Sequence, residues 1–156
     1  MKGRALTADE VALSRSMFGA AIDYDAVRVH NRKWWWFQPS RVTMAPDGDL
    51  WFHPDGGLFC ENFCQSSMGV QCLFIHEMTH VWQAQTRGRW WLPLMRHPFC
   101  RYEYELEAGK PFEEYGIEQQ AEIVRHAFLL RRGVAVAGKP GVDVYDALLP
   151  FSRIAA

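Results

Sequence analysis

Several features are missing from this chain of 156 residues, and each absence narrows what it can be. No apolar run approaches the roughly 20 residues that a membrane-spanning helix needs, so no membrane span is expected. Neither sign of charge dominates: 17 Lys and Arg against 18 Asp and Glu leave a formal net charge of −1, which gives no general attraction to nucleic acid. Locally, Arg87, Arg89, Arg96 and Arg101 precede an acidic stretch from Glu103 to Glu122, and the two read as compensating solvated surfaces. The four cysteines, Cys60, Cys64, Cys72 and Cys100, include one close pair and no second Cys or His pair to complete a zinc knuckle. They read as small apolar residues or free thiols. Repeats, low-complexity tracts and domain boundaries are also absent, so one domain over 1–156 is expected. Met1-Lys2-Gly3-Arg4 leads into polar Thr7-Ala8-Asp9-Glu10 with no apolar signal core. The expectation is a chain made in the cytoplasm, with any export following a route independent of a signal peptide.

What is present is apolar and aromatic mass: 49% apolar residues, 14% aromatic and seven tryptophans, the composition of a packed domain. Thr7 and Glu10 make a capping box that predicts a helix to about Phe18, closed near Gly19. Val27-Arg28-Val29-His30 alternates like a short strand, and Asn31 to Lys33 turns the chain into the aromatic block Trp34-Trp35-Trp36-Phe37. Such a block is expected in the core or on a covered edge; exposed, it would be a binding surface. Arg41 to Met44 and Asp49 to Phe52 flank Pro46-Asp47-Gly48 and predict a hairpin. A helix apolar nearly all round, and therefore buried, is expected from Met68 or Gly69 to about Thr86, before Gly88. The stretch 90–111, with Pro93, Pro98 and Pro111, reads as loop with short helical turns. A second helix is predicted over Glu113 to Arg132, with the stripe Ile117, Ala121, Val124, Phe128 and Leu129 and a stop at Gly133. A short last element follows at Val142 to Leu149.

The first helix of that pair carries His76-Glu77-Met78-Thr79-His80. Residues four apart lie on one helical face, so both imidazoles can reach one metal ion, and Glu77 is placed as general base for a water the metal activates. Cys72, four before His76, either lines that site or packs. The second helix offers Glu118-Gln119-Gln120-Ala121-Glu122, two carboxylates sharing one face. Glu118 as third ligand and Glu122 as the group orienting a histidine meets both needs of a zinc site, and the reverse assignment is also geometrically allowed. His126, four after Glu122, is a candidate partner for that carboxylate. Candidates for stabilising charge on a carbonyl oxygen are Tyr102, Tyr104, Tyr115 and His97. His30 and His53 read as strand or loop residues with local hydrogen bonds.

H-E-x-x-H followed by E-x-x-A-E resembles the gluzincin branch of the zincin metallopeptidases. The resemblance implies His76, His80 and Glu118 as zinc ligands, Glu77 as general base and Glu122 next to a ligand histidine. Glu122 departs from the aspartate usual there, so the choice between Glu118 and Glu122 stays open. Met17 to His30, Phe74 to Gln83 and the E-Q-Q-A-E segment are similar to small zincin-like proteins encoded beside Rhs and Vgr elements. Those elements belong to bacterial type VI secretion and related contractile injection systems. Together these resemblances imply an α+β zincin-type domain with a short, mainly antiparallel sheet packed on the two motif helices. They imply a zinc-dependent hydrolase of peptide bonds, with protein or cell-wall peptide as substrate and a secretion-apparatus partner. The alternative is a catalytically silent zincin-fold module of such a complex. In zincin folds an edge strand pairs with extended substrate, and the Arg41 to Phe52 hairpin is the candidate edge.

Overall fold

Thr7 opens the first helix through its own side chain. In the computed structural model, which describes residues 3–95 and 99–151, Thr7 Oγ1 accepts from Glu10 N and Glu10 Oε2 accepts from Thr7 N, at 3.2 and 2.8 Å. Helix α1 spans Ala8–Phe18 and stops at Gly19, whose φ of 56° suits a residue without a Cβ. Glu10 is fully buried and does more than cap. It also accepts from both terminal nitrogens of Arg4, at 2.8 and 2.9 Å, and from Phe63 N at 3.0 Å. One carboxylate thus ties together the chain start, α1 and the short 3-10 turn Phe63–Gln65.

The sheet is small and mixed, which corrects the mainly antiparallel arrangement expected. β1 (Arg4–Ala5) pairs antiparallel with β2 (Arg28–Asn31), and β2 pairs parallel with β3 (Leu50–Phe52), Val29 opposite Leu50 and His30 opposite Trp51. The expected hairpin shrinks to a single antiparallel bridge between Met44 and Trp51. Side chains take the groups a longer ladder would use. Gln38 Nε2 donates to Val42 O and Trp51 O, while Asp47 Oδ1 accepts from Trp51 Nε1. Asp49 faces the other way, accepting from Arg28 N and bonding His30 Nε2 at 2.8 Å.

The remaining helices are α2 (Met68–Arg87), α3 (Trp91–Met95), α4 (Ile117–Arg131) and α5 (Val142–Leu148). Ser67 Oγ caps α2, and Gly88, at φ 100°, ends it. α4 begins four residues later than expected, because Phe112–Glu114 forms a separate 3-10 turn and Gly116 starts the helix, its N–H donating to Gln119 Oε1. α4 packs on α2, α5 on α4, and β3 on α2. The stacked rings of Phe52, Phe63 and Phe74, each 5.0 Å from the next, join sheet, turn and α2. The aromatic block lies outside this core: Trp36 is 82% exposed, and Trp35 and Phe37 about half so.

Candidate metal centre

α2 is buried along the stretch from Phe74 to Val81, so its two histidines lie one above the other inside the protein. α4 brings Glu118, 1% exposed, to meet them. Glu118 Oε2 lies 3.2 Å from His76 Nε2 and 3.1 Å from His80 Nε2, and the two nitrogens are 3.3 Å apart. Donor atoms at the corners of a tetrahedron around an ion with ~2.0 Å bonds stand ~3.3 Å from each other. The three residues therefore form a donor set that could hold a metal ion, and two imidazole nitrogens with one carboxylate oxygen suit a transition-metal ion better than a cation that takes only oxygen ligands.

The far side of each imidazole is fixed. His76 Nδ1 bonds Glu122 Oε1 at 2.9 Å, and His80 Nδ1 bonds Gln83 Oε1 at 2.8 Å. Donation through Nδ1 leaves Nε2 as the lone-pair face turned to the centre. Gln83 is itself locked, its amide nitrogen donating to Ile117 O and Gln120 Oε1, while Gln120 donates to Tyr115 O. Gln83 and Gln120 were not singled out in the sequence. The available signal was a glutamine one turn after the second histidine on a helix buried all round, where an amide needs a polar partner.

Electrostatics favour positive charge here. Burial disfavours the charged form of His76, but hydrogen bonds to Glu118 and Glu122 and the charge of Glu77 outweigh it and raise its pKa to about 9. Burial likewise opposes ionisation of Glu122, yet His76 and Arg125 hold its carboxyl below the usual range. Arg125 Nη1 reaches Glu122 at 3.2 Å.

A cleft of about 470 Å³ opens on this centre, lined by His76, Glu77, Tyr102, Glu122 and Arg125 together with Arg41 to Thr43. Glu77 is 3% exposed and lies at the cleft beside the first histidine. Among the described candidates for a carbonyl-oxygen donor, Tyr102 alone lines this cleft, with its ring stacked 6.2 Å from that of His76. The Tyr104 hydroxyl is engaged elsewhere, 2.6 Å from both His126 Nδ1 and the Tyr145 hydroxyl, and burial pushes its pKa up. Tyr115 accepts from Glu107 N. His97 lies outside the described residues. His126 approaches Glu122 only at 3.7 Å, and burial lowers its pKa. Cys72 packs in the core, and Cys60, Cys64 and Cys100 are free thiols as it is.

These features define an α+β domain with a three-residue candidate metal centre between two packed helices. The chain is 39% identical over 135 residues to the type VI secretion system spike protein VgrG2b of Pseudomonas aeruginosa, covering 81% of this chain and 13% of that protein's length. It superposes on the solved effector domain of Pseudomonas aeruginosa VgrG2b with a TM-score of 0.74 and 34% identity, over 93% of this chain and 80% of that domain. The chain belongs to the Vgr-associated effector domains of bacterial type VI secretion. No family model matches it. No helix of the described residues is long and apolar enough to cross a membrane.

Proposed function

We propose that this chain is a zinc-dependent peptide hydrolase of zincin type, delivered through a type VI secretion apparatus. The observation that carries the reading is the convergence of His76 Nε2, His80 Nε2 and Glu118 Oε2 beneath a cleft that also holds Glu77. A bound zinc ion would supply Lewis acidity, polarising an amide carbonyl and making water a better nucleophile near neutral pH. The protein's own part is positional. Glu122 and Gln83 hold the imidazoles in the tautomer that presents Nε2. Glu77 accepts the proton of the attacking water and passes it to the leaving amine. Tyr102, which lines the cleft, donates toward the carbonyl oxygen as charge develops there.

The open cleft at Glu77 favours this reading over a closed structural site, which would leave the base without access to substrate. Kinship with a spike protein supports a secretion-apparatus partner and synthesis in the cytoplasm before export. Substrate is a protein or a cell-wall peptide, and a screen of both classes separates them. In that screen Glu77→Gln should keep its zinc and lose hydrolysis; hydrolysis retained in Glu77→Gln at the wild-type rate contradicts the mechanism.

A further inference from the structure

Part of the lining of this cleft has a composition that amide hydrolysis by itself does not require. Arg41, Thr43, Gly69 and Arg125 line it. Arg41 is exposed, and no ion pair of the described residues includes it. Thr43 is only 6% exposed, yet its Oγ1 has no hydrogen-bond partner in the protein. A buried hydroxyl normally finds one, and Thr43 lines the cleft. Gly69 sits in the first turn of the 20-residue α2, whose leading N–H groups have no acceptor within the helix and carry its positive end. Arg125 adds a second guanidinium, anchored through Glu122.

A neutral amide oxygen is satisfied by one donor. Two guanidinium groups, a buried hydroxyl and a helix start lining one cleft suit an anion, and the planar fork of arginine suits a carboxylate. The cleft also contains Glu77 and Glu122, which repel an anion. Glu122 is already paired with His76 and Arg125, so the favourable seat lies on the Arg41 and Thr43 side. We propose that this lining, on the Arg41 and Thr43 side, selects peptides that carry a carboxylate close to the scissile amide, either an acidic side chain or a free C-terminus. The inference rests on the peptide-hydrolase reading, but it concerns recognition and is readable without turnover.

The experiment uses the zinc-loaded Glu77→Gln chain and fluorescent tetrapeptides in neutral twins: Glu against Gln at each position with blocked ends, and a free C-terminal carboxylate against the amide. Anisotropy titrations should show at least one anionic peptide binding ~10-fold tighter than its twin, the scale of one charge-assisted bidentate contact. Which twin responds tells an acidic side chain from a chain end. Adding Arg41→Gln should bring the ratio to about one with zinc content intact, and Thr43→Val should reduce it. Equal binding of all twins, no binding of any peptide, or a preference that survives Arg41→Gln overturns the proposal. Wild-type protein that hydrolyses none of these peptides while the binding ratio holds counts against the hydrolase reading and leaves the carboxylate seat standing.

Discussion

Glu10 and Glu118 are both carboxylates at or near zero exposure, but their surroundings differ. Glu10 is met by the guanidinium of Arg4 and by two backbone N–H groups, donors that share its charge entirely within the protein. Glu118 meets two imidazole nitrogens, a set that could share a cation with it. Burial of a carboxylate therefore does not mark a functional site; the chemistry of its neighbours does. The Glu10 clasp is complete without a metal ion, whereas the Glu118 centre should respond to metal.

That contrast can be broken most forcefully at Glu10. Glu10→Ala leaves Arg4 without its carboxylate and should cost about 3 kcal/mol, measured by urea unfolding, with the same loss in excess zinc and in chelator. Next in size is the pH response of the centre. The pKa of His76 in the folded chain is raised to about 9 from the 6.5 of an unperturbed histidine. Its stabilisation is therefore fully present below pH ~6.5 and lost as pH rises through about 9, on the order of 3 kcal/mol in chelated protein. Zinc affinity should move the opposite way, weakening as pH falls below about 9, because the ion must displace the His76 proton. A chelated protein whose stability stays flat across that window contradicts the pairing. Gln83→Leu removes the group that orients His80 and should weaken zinc binding by roughly 10- to 100-fold in competition titrations. Smallest is Trp36→Ala, on the exposed block, expected to change stability by less than about 0.5 kcal/mol.

The helices and the ligand spacing were legible because a periodic apolar pattern and caps act locally. The α1 capping box, the Gly88 end of α2 and the Gly133 stop after α4 appear where the sequence placed them. The sheet was less legible. β1 is two residues long and has no alternation to read, and the parallel pairing of β2 with β3 is accompanied by Asp49 bonds to Arg28 and His30 that no local pattern announces. At the centre, H-E-x-x-H and E-x-x-A-E named the residues that converge. Only three dimensions separate the Glu118 and Glu122 positions, one facing both Nε2 atoms and the other behind His76. The engagement of Tyr104 was hidden because its partner Tyr145 is 41 residues away.

The assignment of Glu118 as the third ligand is tested most directly by elemental analysis of the purified wild type beside Glu118→Ala and Glu122→Ala. One zinc per chain in the wild type, none in Glu118→Ala and a weakened but present zinc in Glu122→Ala is the predicted result. A full complement of zinc in Glu118→Ala, or a wild type that takes up no metal, would contradict the assignment.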